Sequence, residues 1–197
     1  MPVLYLVRHG RTQANAQGRL QGRFDQPLDE VGQQQAAAMA AHVRSVSSGI
    51  DEVWCSSTLR ASQTAALYGL VPAVDDRWVE IDFGIYDGRP MREMPQSVWT
   101  SWREDADYAP EGGESFGSLA TRVREACSEL LARSADRDIV VVSHMMPIKT
   151  AVAWALATPL DIMFRTQLSQ GALCRIGVGA FGPTLHSFNE TIPLLDP

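Results

Sequence analysis

Uninterrupted runs of apolar residues predict the central strands of the fold. Val3–Val7 and Ile139–Val142 show no alternation of polar and apolar positions, which is typical of parallel strands covered on both faces. A shorter run, Val53–Cys55, predicts a third strand, and Ala172–Val178 with Thr184–Phe188 predicts a closing hairpin. The apolar pattern therefore predicts one sheet built around buried parallel strands.

Between these strands, apolar residues recur at helical spacing and predict helices. The predicted helices span Gln33–Val46, Leu59–Tyr68, Ser118–Ala132 and Ile148–Ala157, the last preceded by Pro147 in its first turn. Alternating strands and helices indicate an α/β fold, a three-layer α/β/α sandwich with a mostly parallel central sheet. Such folds bind ligands at the carboxyl ends of the strands, so we look for chemistry at that edge.

The segment from about residue 82 to residue 115 interrupts this pattern. It is rich in glycine and proline and carries Trp99, Trp102 and Tyr108. A long loop inside a compact domain is usually functional, so we expect this excursion to cover the site edge of a single domain spanning residues 1–197. The three aromatic residues either form a pocket for the leaving group or pack the cover, and the sequence leaves both interpretations open.

Composition and charge narrow the partners and the location. The chain is 45% hydrophobic, with 17 basic and 23 acidic residues and a net charge of −6, so it lacks the basic stripe that nucleic acids and anionic membranes require. Cys55, Cys127 and Cys174 are odd in number and far apart, which argues against a disulfide framework or a zinc knuckle. No apolar run approaches the ~20 residues of a membrane span. We expect a cytoplasmic protein.

Residues that can bind an anion follow three of the predicted strands. Arg8 and His9 come directly after the first strand, His144 follows the strand that ends at Val142, and Arg60 begins the helix after the third strand. Because parallel strands end at one edge of a sheet, we expect these side chains to share a pocket. Two planar guanidinium groups suit the oxygens of a phosphoryl group, so phosphate is the predicted ligand.

A set of longer motifs surrounds these residues. In chain order they are Leu6–Thr12 with Asn15, Gln21-Gly22, Pro27-Leu28, Ser56–Ala65, Glu80–Gly84 and Val140–His144. Together they resemble the histidine phosphatase superfamily, which includes the cofactor-dependent phosphoglycerate mutases, and the matches run from residue 3 to about residue 160. The resemblance implies a phosphoglycerate mutase-like fold. The segments 110–115 and 143–150 look most like those of bacterial small-molecule phosphatases, including α-ribazole phosphatases.

The resemblance implies the roles of nucleophile and acid. His9 looks like the nucleophile that forms a phosphohistidine; its reacting nitrogen must be unprotonated, so the other ring nitrogen needs an acceptor, for which the Gly10 carbonyl is the candidate. Glu80 resembles the proton donor to the leaving group, which requires a raised pKa. Asp82 and Asp87 lie close in sequence and are competing candidates for that role.

The resemblance also implies a phosphate clamp formed by Arg8, Arg60 and His144, with Asn15 as a further contact. With His144 protonated, the clamp would carry +3 against the −2 of a phosphate monoester. Phosphoryl transfer depends largely on positioning and charge stabilisation, so we predict that the clamp substitutes for magnesium and that neither metal nor cofactor is required. For Asn15, a turn or helix cap remains the alternative.

The resemblance is less informative about the leaving-group pocket. Candidates for its wall are Gln21, Gly22, Arg23, Phe24, Glu114, Ser115 and Met145. Ser115 could equally cap the next helix. Met145 stands where many family members have glycine, so either its side chain turns away from the phosphate or it lines the pocket.

Three functions remain to be compared. A mutase must shield its phosphohistidine from water, but the excursion after Glu80 is shorter than in the mutases of the family that the chain resembles, and only nine residues follow the last predicted strand. Hydrolysis of small phosphate monoesters is therefore the preferred reaction. Phosphoglycerate mutase-type transfer is the first alternative, and a non-catalytic phosphoprotein-binding module is the second. The predicted partner is a small phosphorylated metabolite, and a homodimer is left open.

Overall fold

The computed structural model describes residues 3–134, 137–179 and 182–194. Its centre is a six-stranded sheet with the spatial order β3-β2-β4-β1-β5-β6. The strands are β1 Val3–Arg8, β2 Ile50–Cys55, β3 Ala73–Val74, β4 Asp138–Ser143, β5 Leu173–Gly179 and β6 Gly182–Glu190. The three strands predicted from apolar runs and both arms of the hairpin are present. The short edge strand β3 lacks an apolar pattern of its own and was not predicted.

Strand directions divide the sheet into two parts. Strands β1 to β4 pair in parallel, whereas β5 runs antiparallel to β1 and forms an antiparallel pair with β6. The prediction of a mostly parallel sheet closed by a hairpin is therefore confirmed. Since β1 and β4 are neighbours at the centre, the residues that follow them lie side by side.

Helices connect the strands. They are α1 Gln13–Ala16, α2 Glu30–Val46, α3 Leu59–Ala65, α4 Gln96–Glu104, α5 Phe116–Arg133, α6 Met145–Ala155 and α7 Ile162–Arg165. All four predicted helices are present; α2 ends and α3 begins at the predicted residue, and the other ends are shifted. The side chain of Asp29 accepts a hydrogen bond from Gly32 N–H at 2.8 Å, and Ser115 accepts one from Ser118 N–H at 3.1 Å. These caps start α2 and α5 earlier than hydrophobic periodicity indicates.

Side chains of β1 alternate between two packed layers. Leu4 and Leu6 face a cluster that includes buried residues of α5 and α6, whereas Tyr5 and Val7 face a second cluster with residues of α2 and α3. Helices therefore cover both faces of the sheet, which confirms the three-layer α/β/α architecture. No helix in the described ranges combines the length and apolarity needed to cross a lipid bilayer.

The excursion is more ordered than its composition indicates. It contains α4 and short 3₁₀ turns, and its buried Trp102 packs against the core. Close backbone packing also shapes the site edge: a Cβ on Gly10 would overlap the main chain of Gly32, so the loop after β1 can lie directly against the start of α2.

Candidate active site

Two histidines meet at the carboxyl edge of the sheet. His9 follows β1 and His144 follows β4, and their ring centroids lie 5.0 Å apart. Both residues are buried. The structure thus brings together the pair that the sequence singles out, although 135 positions separate them.

The environment of His9 suits a nucleophile. Its Nδ1 lies 2.7 Å from the Gly10 carbonyl oxygen, and because a carbonyl only accepts, Nδ1 carries the proton. The unprotonated Nε2 therefore holds the lone pair. Burial, together with the positive charges of Arg60 and Arg8, holds the pKa of His9 well below its usual value. The ring is neutral at pH 7 with one nitrogen free to react.

His144 differs from the charged residue considered in the sequence analysis. Its Nδ1 accepts a hydrogen bond from Arg60 Nε at 3.3 Å, and its Nε2 lies 2.7 Å from Ser56 Oγ. A nitrogen that accepts from a guanidinium cannot carry a proton itself, so Nε2 holds the hydrogen. Burial and the charge of Arg60 hold the pKa of His144 well below its usual value. With His144 neutral, the three clamp residues Arg8, Arg60 and His144 carry a net charge of +2 rather than +3.

Arg60 is buried and held by a ring of oxygen atoms. Its terminal nitrogens donate to the carbonyl oxygens of Gln21 at 3.1 Å, Gly22 at 2.9 Å and Phe24 at 3.3 Å, and to Asp25 Oδ1 at 2.9 Å. The candidate pocket residues Gly22 and Phe24 thus act through their main chain. Five fixed donors held in this way set the guanidinium plane.

Arg8 lines a cavity beside His9, and its guanidinium is incompletely hydrogen-bonded. One terminal nitrogen donates to the Leu168 carbonyl at 2.5 Å, while its buried Nε has no hydrogen-bond partner among the residues that the structure describes. Burial lowers the pKa of Arg8 to about 10, which keeps it charged at pH 7. Within the same described ranges, Gln21 Nε2 is a second buried donor without a partner. Asn15 lines the cavity as well, and its Oδ1 accepts from Thr12 N–H at 3.2 Å, which leaves its amide NH₂ able to donate.

The Glu80 side chain lies against the N-terminus of α6, close to Arg8 and Arg60. Its carboxylate accepts main-chain hydrogen bonds from Ile81 at 2.9 Å, Met145 at 3.1 Å and Met146 at 3.2 Å. Burial raises the pKa of Glu80, and the Ile81 N–H and the positive charge of Arg8 offset part of that rise. Its competitors are engaged elsewhere, since Asp82 pairs with Arg23 and Asp87 binds the main-chain N–H groups of the loop at residues 22–24.

Arg122 holds the chain segment that carries Glu80. Its guanidinium donates to the carbonyl oxygens of Arg77 at 2.7 Å, Val79 at 2.8 Å and Glu80 at 3.3 Å, and it pairs with both carboxylate oxygens of Glu114 at 2.7 and 2.8 Å. Glu114 was a candidate for the pocket wall. The structure places it behind Glu80, in this ion pair.

A cavity of about 270 Å³ lies over His9. Its wall includes Arg8, Asn15 and Gln21 together with His9, Glu80, Met145 and the segment 167–170, whereas the fully buried Arg60 and His144 are not among the described residues that line it. The other pocket candidates do not form its wall in the part of the chain that the structure describes. Ser115 instead caps α5, which was the alternative role for it. The other candidates outside the wall are Gly22, Arg23, Phe24 and Glu114.

The aromatic residues of the excursion divide between the two open interpretations. Trp102 is buried in the core against Phe83 and Phe116, with ring centroids 5.9 and 5.1 Å away, and Tyr108 packs against the same core. Trp99 packs against Trp102 but also lines a second cavity. Packing therefore accounts for two of the three residues.

Several functional residues were missed by sequence reasoning. Leu168 contributes a carbonyl group, which any residue could supply, so its identity gave no signal. Asp25 pairs with Arg60, and Arg122 pairs with Glu114. From the sequence alone, both Asp25 and Arg122 resemble ordinary charged surface residues. Ser56 follows β2 directly, as His9 follows β1. Its position at the end of a strand was the sequence feature that could have identified it as a site residue.

Comparison with known proteins agrees with this arrangement. The family model of the histidine phosphatase superfamily, branch 1, matches residues 4–191. A cationic pocket with paired histidines at the sheet edge thus coincides with a family match over nearly the whole chain. The protein belongs to the histidine phosphatase superfamily.

The curated relatives include a bifunctional protein and a probable mutase. The bifunctional protein Rv2228c of Mycobacterium tuberculosis is 33% identical over 86% of this chain, and the chain spans 48% of that protein. The chain thus spans about half the length of the first curated relatives it matches. A probable phosphoglycerate mutase GpmB of Yersinia pestis is 32% identical over 89% of this chain and 85% of its own length.

Solved structures of the same fold include phosphatases. A phosphoserine phosphatase mutant from Entamoeba histolytica, in complex with phosphoserine, superposes with a TM-score of 0.86 at 27% identity, covering 96% of this chain and 97% of the other. Structures of α-ribazole phosphatases also match. These neighbours support a phosphatase enzyme.

Proposed function

We propose that the protein hydrolyses small-molecule phosphate monoesters through a phosphohistidine at His9. The observation that carries this proposal is the pair of buried, unpaired donors, Arg8 Nε and Gln21 Nε2, in one pocket beside a histidine whose Nε2 is free. A buried donor without a partner costs roughly 1–3 kcal/mol. A phosphoryl group with three equatorial oxygens would satisfy both donors.

The reaction proceeds in two displacements. His9 Nε2 attacks phosphorus, the bond to the ester oxygen breaks, and Glu80 gives its proton to the departing alkoxide. A water molecule then attacks the phosphohistidine, the P–N bond breaks, and the Glu80 carboxylate takes up the proton that the water loses. The products are the alcohol and inorganic phosphate.

The charges in the pocket fit each step. Arg8 and Arg60 offset the −2 of the phosphate monoester and stabilise charge on its oxygens in the transition state. An anion entering beside Glu80 disfavours a second negative charge and so adds to the rise in its pKa that burial causes. The acid is then protonated when it is needed. This scheme needs no metal ion.

The central test is covalent trapping. The enzyme is incubated with a ³²P-labelled phosphate monoester and quenched in alkali, in which a phosphohistidine survives. We expect label on His9 and loss of both label and turnover in His9→Ala. His42→Asn is the matched control, because His42 lies on α2 and does not line the cavity. Label on a different residue, or full turnover in His9→Ala, would refute the proposal.

Two further measurements separate the alternatives. Turnover should survive dialysis against EDTA, and loss that magnesium restores would contradict the metal-free scheme. Vanadate, which adopts the geometry of five-coordinate phosphorus, should inhibit an enzyme, whereas a binding module has no turnover to inhibit. Formation of 2-phosphoglycerate from 3-phosphoglycerate in the presence of 2,3-bisphosphoglycerate would establish a mutase instead. A cytoplasmic location remains part of the proposal, and the three buried free thiols support it.

A further inference from the structure

A second cavity adjoins the one over His9. It has a volume of about 520 Å³, and Gly18 and Met91 line both cavities. The Met91 N–H donates to the Gly18 carbonyl at 2.8 Å, so these two residues form one wall at the junction. A leaving group that passes this wall enters the second cavity.

The second cavity offers a flat apolar surface. Trp99 and Met94 line it beside Met91. The Trp99 ring packs against the ring of Trp102 with centroids 5.6 Å apart, and the Trp102 indole N–H donates to the Glu114 carbonyl at 3.3 Å. Trp99 is therefore supported from the core side, and a fixed indole with neighbouring thioethers favours a ring or a flat apolar chain.

Positive charge lies along the same path. Arg19 lines the first cavity and Arg92 the second. Arg19 donates to the side-chain oxygen of Gln17 and the carbonyl oxygen of Gly88, and within the described ranges neither arginine is bonded to a carboxylate. A ligand that reaches this region with a negative group would meet uncompensated positive charge.

We propose that the leaving group of the physiological substrate extends from His9 past Gly18 and Met91, places a flat apolar part against Trp99 and carries an anionic group near Arg92. The substrate class is an elongated phosphate monoester with a second anionic group, larger than a simple phosphorylated amino acid or hydroxy acid. This inference rests on the proposed phosphatase activity and adds the recognition of the leaving group.

Three aryl esters of increasing length test the proposal. They are phenyl phosphate, biphenylyl phosphate and biphenylyl phosphate with a carboxylate on the distal ring. We expect kcat/KM to rise about tenfold with the second ring, from the burial of apolar surface. The carboxylate should add about threefold at low salt, and that gain should disappear in high salt. Equal kcat/KM for all three esters would overturn the proposal.

Variants assign the gain to the second cavity. A Cβ on Gly18 would meet no heavy atom within 4 Å, and its φ of +64° is one that asparagine tolerates. Gly18→Asn therefore places a side chain at the junction and should reduce the biphenylyl-to-phenyl ratio from about ten to about one. Gly69→Asn is the matched control, since Gly69 has a φ of +80°, has no neighbour within 4 Å, and lines neither cavity.

Side-chain variants separate the two parts of the ligand. Trp99→Leu should lower the biphenylyl-to-phenyl ratio toward one, and Arg92→Gln should abolish the carboxylate gain without changing that ratio. Ratios that stay at the wild-type values in these variants would overturn the inference. Failure of the phosphatase proposal itself would look different, because the wild-type protein would then hydrolyse none of the three esters.

Discussion

Replacement of Arg122 with methionine tests whether a residue behind the site holds the acid in place. The change removes the ion pair with Glu114 and the donors to the carbonyl oxygens of Arg77, Val79 and Glu80. The Arg122 and Glu114 side chains are only 16% and 14% exposed, so the remaining carboxylate is largely buried without its counter-ion. Breaking such a buried pair costs about 3–5 kcal/mol. Because both side chains are partly exposed, we expect the free energy of unfolding to fall by about 3 kcal/mol.

The effect on activity should depend on the leaving group. An alkoxide leaving group needs a proton from the acid, whereas p-nitrophenolate leaves without one. A misplaced acid therefore slows the release of an alkoxide much more than the release of p-nitrophenolate. Positional errors of about 1 Å can cost ~100-fold in rate, so we expect kcat for an alkyl phosphate monoester to fall roughly 30- to 100-fold and kcat for p-nitrophenyl phosphate to fall less than about fivefold.

Urea denaturation and steady-state kinetics on both substrates measure these effects. Arg124→Met is the matched control, because Arg124 is an exposed arginine on the same helix. The double variant Arg122→Met/Glu114→Gln should be more stable than the sum of the single changes predicts, since it removes the uncompensated carboxylate. Equal loss of activity on the two substrates would refute the idea that Arg122 positions the acid and would indicate general loosening of the fold.

Two other predictions follow from buried charges. Lys149 Nζ donates to the carbonyl oxygens of residues 163 and 166 at 2.9 and 2.6 Å, and the same segment supplies the carbonyl that binds Arg8. Lys149→Met should therefore raise KM about tenfold with a smaller change in kcat; a reduced kcat at constant KM would contradict this. The pKa values of His9 and His144 lie well below their usual range, so as the pH falls the unfolded chain takes up protons before the folded chain does, and the free energy of unfolding should decrease between pH 7.5 and 5.5. The raised pKa of Glu80 acts in the opposite direction and reduces this loss, and denaturation at both pH values in wild type and His144→Asn measures it.

The parts of the fold that follow from strong local patterns could be predicted from the sequence. β1 and β4 are buried on both faces, so their sequences contain only apolar residues over several positions, and the order of motifs placed Arg8, His9 and His144 at their ends. Strand β3 and helix α4 were missed for the opposite reason. β3 has two exposed residues, and α4 lies among prolines and glycines that mask its short amphipathic pattern.

The protonation state of the site depended on contacts that no sequence pattern reveals. His144 was considered as a cation because isolated histidine titrates near neutral pH. In the structure it accepts a hydrogen bond from Arg60, and this contact requires the exact rotamers of two residues on different elements. The same holds for Glu114, whose partner Arg122 is close in sequence but whose position behind Glu80 follows only from tertiary packing.

The neutral state of His144 explains how two arginines can share one small site. Arg8 and Arg60 are both buried, and the charge of Arg60 lowers the pKa of Arg8, so a third positive charge without an anion would be costly. Arg60 offsets part of this cost through Asp25, and His144 offsets more by accepting a hydrogen bond rather than carrying a proton. When a phosphate dianion enters, the balance of charge reverses, and the pKa of His144 should rise because its charged form gains a partner. Binding of sulfate, which stays a dianion in this range, should therefore be accompanied by more proton uptake at pH 6 to 7 in wild type than in His144→Asn, and calorimetry in buffers of different ionisation enthalpy measures the difference. Equal proton uptake in the two proteins would show that the His144 ring stays neutral and that the two arginines suffice.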